Sequence, residues 1–298
     1  MATKTTNTGL FNSQLVTEIF NKVKGHSTLA MLANQTPIPF AGNDIMIFSM
    51  DGEASIVGEG GNKPAGEADW KKVTIKPIKF VYQHRLTDEF VNLAEEAQVP
   101  YLAQFSDGFA KKIARALDIS ALHGVNPADK ETSATIGDNC FDKGVTATVT
   151  YDAANADDNI QEAVGDIQDK DGVANGIAMT PAFATALGNI KQGTANNKVA
   201  LYPEYRFGGN PGSFGGMKAD VNNTVAFGGS DDMAIVGDFE NAFRWGYTEN
   251  VPIEIIEYGD PDGQGDLKRT NEIVLRAEAY IGWGIVDPDS FARVVKAA

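Results

Sequence analysis

Apolar residues change their spacing several times along this chain, and each change marks an element. In Leu10 to Lys24 they fall at Leu15, Ile19, Phe20 and Val23, which predicts a short amphipathic helix. Thr36-Pro-Ile-Pro then reads as extended backbone, so roughly the first 40 residues form an arm with little core of its own. Asp44 to Met50 reads as a strand. So does Val73 to Leu86, where Val73 and Ile75 alternate before Pro77 and Ile78, Phe80 and Tyr82 follow it. Pro77 cannot donate to a ladder and marks an edge or a change of face. Together the two strands predict a long ribbon, and an isolated ribbon is marginal in water.

Thr87 is placed to cap a short helix from Asp88 to Glu96. Pro100 suits the first turn of a longer helix reaching His123. Leu102, Phe105, Phe109, Ile113 and Leu117 draw one apolar stripe on it, leaving Lys111, Lys112, Arg115 and Asp118 to solvent or partners. At roughly 1.5 Å per residue this helix is about 35 Å long. Beyond it, residues 124–150 read as loop and short strand. Asp157 is expected to cap a helix with Ile160, Val164 and Ile167 inward. Gly176 to Met179 reads as a buried strand, and Thr180-Pro181 as the N-cap and first residue of a helix to about Ile190. Residues 203–230 are rich in glycine, show little periodicity and read as loop-rich. Strands follow at Met233–Val236, Phe243–Tyr247, Val251–Tyr258 and Glu272–Val286. The pattern is α+β: one long helix, one compact lobe, and long strands from two distant parts of the chain.

Charge narrows the function. The 298 residues carry a net charge of -15, with 43% apolar and 22% charged residues. A surface that coats nucleic acid needs clustered Lys and Arg, which this balance argues against. A wall that encloses nucleic acid without gripping it stays allowed. Tyr151 to Glu240 holds 13 Asp/Glu against 5 Lys/Arg, as a solvated lobe would. Cys140 is the only cysteine, so intramolecular disulfides and Cys-based zinc sites are ruled out and a reducing compartment fits. No apolar run approaches the roughly 20 residues of a membrane span.

The candidate chemical motifs of the chain fail on spacing. SIVGEGGNKPAGEADWKK (Ser55 to Lys72) lies between the ribbon strands, but Lys63 follows Asn62 and precedes Pro64, which breaks the phosphate-loop pattern. Gly58 and Gly60 open a dinucleotide fingerprint whose sixth position is Lys63. Neither GHSTL (Gly25 to Leu29) nor PGSFG (Pro211 to Gly215) completes a nucleophile elbow. Asp260 to Asp266 resembles a calcium loop, but position 12 is Asn271 and the flanks read as strands, so a hairpin loop is expected. The acid pairs Glu95-Glu96, Asp157-Asp158 and Asp231-Asp232 are expected to be solvated. His26, His84 and His123 lie in three separate contexts. Trp70, Trp245 and Trp283 read as packing anchors. No catalytic, cofactor-binding or metal-ligating residue is assigned, and no cofactor is expected.

What stands out is architecture that buries its apolar faces only if other copies supply surface. At this point the order of elements resembles the major capsid proteins of tailed bacteriophages, the Hong Kong 97 type fold. The likeness rests on AIVGDFENAFRWGYTENVPIEIIEYGD (Ala234 to Asp260), NEIVLRAEAYIGWGIVDPDSFARVV (Asn271 to Val295) and MTPAFATALGNIK (Met179 to Lys191). It implies an N-terminal arm at 1–43, an extended two-stranded loop at 44–86, a peripheral domain with a spine helix at 87–149 and 236–298, and an axial domain at 150–235. It also implies hexamers and pentamers of this chain closing an icosahedral shell around double-stranded DNA, without sequence-specific contacts. An encapsulin-like nanocompartment is the alternative. Gly58, Gly60, Gly61, Lys63, Glu67, Trp70, Lys71 and Lys72 would then contact a neighbouring subunit, and the stripe from Leu102 to Leu117 would be the spine-helix core. A separate scaffolding protein and a portal are implied partners, with room for a decoration protein. Lys–Asn cross-links of the kind some relatives form are not expected here. Trp70 is the loop residue expected to become buried only on assembly.

Overall fold

The structure, a computed structural model, describes residues 26–297 apart from 52–53, 64, 66, 90–94, 195–196 and 249–252. The helix expected in Leu10–Lys24 and the centre of the one expected in Asp88–Glu96 lie outside the described residues. In chain order the elements are α1 (Thr28–Leu32), β1 (Asn43–Asp51), β2 (Glu67–Ile75), β3 (Ile78–Thr87), α2 (Glu95–His123), α3 (Phe141–Gly144), β4 (Thr148–Thr150), α4 (Ala156–Gln168), β5 (Gly176–Met179), α5 (Pro181–Asn189), β6 (Lys191–Thr194), β7 (Asn197–Ala200), β8 (Ser213–Phe214), β9 (Met217–Val221), β10 (Asp232–Gly237), β11 (Phe243–Tyr247), β12 (Ile253–Ile256), α6 (Leu267–Thr270), β13 (Glu272–Ile285) and β14 (Phe291–Val295).

The strand expected across Val73–Leu86 is two strands. Only β2 belongs to the ribbon, pairing antiparallel with β1 from Asn43 opposite Ile75 to Asp51 opposite Glu67. After Pro77, β3 leaves the ribbon and pairs with β13, Ile78 opposite Ile281 and Thr87 opposite Glu272. Proline has no N–H for a continuous ladder, so the chain changes partner there. On its other side β13 pairs with β11 and β12, making a four-stranded sheet.

The long helix starts earlier than the sequence suggests. α2 has 29 residues from Glu95, with Pro100 inside it rather than at its first turn. Its length is about 43 Å. Phe105, Phe109, Ile113 and Leu117 are buried. The side chain of Leu102 lies outside the described residues. The stripe packs with α1, Phe141, Trp245, Trp283 and the inner face of β13 in a first core.

The second core lies around α4 and α5. Between the two cores stands a six-stranded sheet of order β4-β14-β10-β5-β9-β8. Its residues alternate between them: Ala178, Ile235 and Phe291 face the first core, and Ile177, Met179, Ala234 and Val236 face the second. Burial on both faces explains the unbroken apolar runs of β5 and β10. The last strand, β14, returns to this sheet beside β10 and β4. Asn155, not Asp157, stands at the N-cap of α4, and Asp157 falls in the first turn, where a negative charge suits the helix dipole. Thr180 caps α5 as its sequence implies, its Oγ1 accepting from Phe183 N–H at 3.1 Å.

Candidate assembly surface and the buried charges behind it

Directly paired residues of an antiparallel ladder share a face. Phe48 lies opposite Trp70 and Met46 opposite Lys72. The Phe48 and Trp70 rings meet at 4.9 Å between centroids. This face is open: Trp70 is 62% exposed, Met46 57% and Phe48 48%. Ile45, Ile47 and Val73, on the opposite face, are half-buried. At the root of the ribbon Ile75 is buried against β13. A Cβ at Gly282 or Gly284 would come within 3.0 or 2.9 Å of the Ile75 side chain, so those glycines let the ribbon approach the sheet. Lys72 Nζ lies 2.7 Å from Asp44 Oδ2, and that hydrogen bond, helped by Thr74, holds the Asp44 carboxyl below its ordinary range.

The residues expected to carry the loop divide into two groups. Gly58, Gly60, Gly61 and Lys63 belong to the connection, which turns with Gly60 at φ 79° and a Gly61 N–H to Gly58 carbonyl bond of 3.0 Å. Glu67, Trp70, Lys71 and Lys72 stand in β2 itself. Of these, only the Glu67 side chain lies outside the described residues. Met46 and Phe48 were missed. Their signal was present in DIMIFSM, where apolar residues fill both parities of a strand that has a core on one side only.

The described end of the arm is anchored by Asp118, which was expected on the solvent side of the long helix and is fully buried. Its carboxyl accepts from Ser27 Oγ at 2.6 Å, Thr28 N–H at 3.0 Å, Leu29 N–H at 3.1 Å and Thr224 Oγ1 at 2.9 Å. Burial outweighs these bonds and pushes its pKa up to about 6. Thr28 Oγ1 also donates to Asp220 at 2.5 Å. Farther along, Thr36 N–H donates to the Trp245 carbonyl at 2.8 Å, so the arm runs beside β11.

The loop that resembles a calcium site holds an internal cation instead. Arg85 on β3 donates to both Asp262 oxygens, at 2.8 and 2.5 Å, to Glu272 at 2.8 Å and to the Gly265 carbonyl at 2.8 Å. The Arg85 hydrogen bonds bring Asp262 down to about 2.

A second cluster joins four distant segments. Arg293 on β14 donates to Asp232 and Asp142, each at 2.9 Å. His123 Nδ1 lies 3.0 Å from Asp142 Oδ2, and its Nε2 lies 2.8 Å from the Thr224 carbonyl. Burial works against the His123 imidazolium, but Asp142 and the carbonyl together raise its pKa. Burial and the neighbouring Asp142 raise Asp232, against the pull of Arg293. Asp232 is thus fully buried, where the sequence suggested a solvated acid pair. His123, Asp142 and Asp232 offer donor atoms within 4.8 Å of one another, as a metal site would. Arg293 already bonds both carboxyls and supplies the positive charge. These groups are internal ties, with no nucleophile and base opening to a shared cavity among them.

Solved structures share this fold. A chain from Mycobacterium phage Ogopogo superposes with TM-score 0.77 at 32% identity, covering 91% of this chain and 92% of that one. A chain from Gordonia phage Cozz gives 0.73 at 24%, covering 92% and 87%. The capsid of an empty GTA particle, computed with C5 symmetry, gives 0.58 at 15%, covering 100% and 94%. No curated protein matches the sequence. These likenesses define the class as a mixed α+β capsid fold. The model of the phage capsid family matches residues 8–296, and the chain belongs to that family. It is a structural protein of the virion capsid, not an enzyme, as the Hong Kong 97 type resemblance implied.

Proposed function

We propose that this chain assembles with itself, as hexamers and pentamers, into an icosahedral shell enclosing phage double-stranded DNA. The observation that carries the reading is the open ribbon face. Met46, Phe48 and Trp70 form an apolar strip that the chain's own cores leave uncovered, and a neighbouring copy supplies the missing surface. In this reading α2 is the spine helix and the arm is residues 1–43. The extended loop reaches out along β1 and returns along β2, with β3 leading back into the peripheral sheet. The axial domain, 150–235, gains β14 through sheet pairing. The net charge of -15 favours packed DNA that slides along the wall rather than adhering to it. A scaffolding protein, a portal and a decoration protein complete the expected partners.

Electron microscopy of the purified protein, with a nucleic-acid assay on the same particles, tests this. Shells filled with DNA are expected from infected cells. Shells filled with protein cargo would replace the reading with an encapsulin-like compartment. A monomer or dimer under all assembly conditions would remove both.

A further inference from the structure

Phe207 is 99% exposed, among the most exposed large apolar side chains of the described residues. Its backbone is left-handed, with φ 58° and ψ 32°, a region that side-chain-bearing residues seldom occupy. The turn around it is firmly built. Tyr205 is buried and its hydroxyl donates to the Ser213 carbonyl at 2.9 Å. Gly209 N–H closes onto the Arg206 carbonyl at 3.2 Å. A Cβ on Gly209 would sit 1.9 Å from the Glu204 carbonyl oxygen, and one on Gly188 would sit 3.0 Å from that of Tyr205. Glycine stands at the next left-handed position, Gly208, yet a phenylalanine fills this one. The Arg206 guanidinium lies over the ring at 5.2 Å from its centroid. Val199 and Leu201, just upstream, are also exposed.

We propose that Phe207 is an inter-subunit contact, its ring buried against a second copy of this chain. The proposal rests on the capsid reading above. A closed ring of identical copies needs each one to present a patch to a different patch on the next. The occupant is argued from charge as well as apolar area. Arg206 brings a cation beside the ring, and the lobe from Tyr151 to Glu240 carries 13 acids against 5 bases, so the corresponding lobe of a neighbour complements it. The strained turn holds the ring outward before assembly, which limits what must be ordered on contact.

The test uses the full chain in two ways. Hydroxyl-radical footprinting of the wild type, read by mass spectrometry, should label Phe207 in the unassembled chain and protect it in shells. In parallel, Phe207→Asn keeps a residue that tolerates the left-handed region and removes the ring. The variant should match or exceed the wild type in thermal midpoint, while its assembly threshold rises about tenfold, the effect of losing an aromatic contact at an interface. Phe207→Tyr should restore the wild-type threshold. Equal labelling in free chain and shell, or a Phe207→Asn threshold equal to wild type, would overturn the proposal. A wild type that forms no shells in the same assay defeats the capsid reading instead.

Discussion

Trp70→Ala should separate folding from assembly. Trp70 lies on the open face of β2, 62% exposed, with its ring tilted against Phe48 across the ribbon. A tryptophan buries up to about 250 Å². The exposed 62% therefore leaves about 150 Å² for a neighbour to cover. At about 25 cal/mol per Å², full burial contributes about 4 kcal/mol, and the partial burial usual at an interface about 2 kcal/mol. Within the isolated chain the substitution removes one cross-strand aromatic pair, worth about 0.2–1 kcal/mol. The expected outcome is a nearly unchanged urea midpoint for the unassembled chain. Its assembly threshold, followed by light scattering against protein concentration, should rise about 30-fold for a loss of about 2 kcal/mol per contact. A folded variant that assembles at the wild-type threshold would refute the reasoning, because the ribbon face would then have no partner.

Asp118→Ala leaves two N–H groups and two hydroxyls of the arm anchor without their acceptor, at a cost of about 2–4 kcal/mol. Faster amide exchange at Thr28 and Leu29 would report it. The wild-type carboxyl titrates near 6 in the fold, above its ordinary 3.8, so the folded state holds the extra proton. The stability this group adds is full below 3.8 and lost as pH rises through about 6, and denaturation midpoints of the variant should lack that slope. Arg85→Ala should return Asp262 from about 2 to the ordinary carboxylate range in an NMR titration. Because that pKa is depressed in the wild type, the contribution is present above the unfolded value and lost in acid, and the variant should not show that loss. Gly246→Ala places a Cβ 1.7 Å from the Thr36 carbonyl oxygen, so the arm must lift from β11. A destabilisation of about 1–3 kcal/mol and proteolytic cleavage near Gln35–Ile38 are expected.

Much of the fold was legible because periodicity is a local property. The stripe Phe105, Phe109, Ile113, Leu117 needs only helical geometry to face one way, and Thr180-Pro181 needs only its own backbone to start α5. The 14-residue β13 announces itself by alternation within its own length. Pro77 was visible as a break, but its consequence was not. Which strand β3 joins depends on a partner nearly 200 residues away.

The charged groups show the same limit more sharply. Asp118 sits among lysines and an arginine on a helix and reads as a surface residue, until Ser27, from 91 positions earlier, closes over it. Asp262 looks like a calcium ligand until Arg85, 177 positions away, takes the loop. Asp232 pairs with Asp231 in sequence but with Arg293 and Asp142 in space. Spacing, caps and turn residues act within a few neighbours, so most of the elements, their order and the α+β class follow from the sequence alone, while strands β6–β9, the start of α2 and the partner of β3 do not. Which face of the ribbon stays open and which acids become buried is set by the folded chain. Both depend on desolvation by segments remote in the chain, and no local pattern encodes that burial.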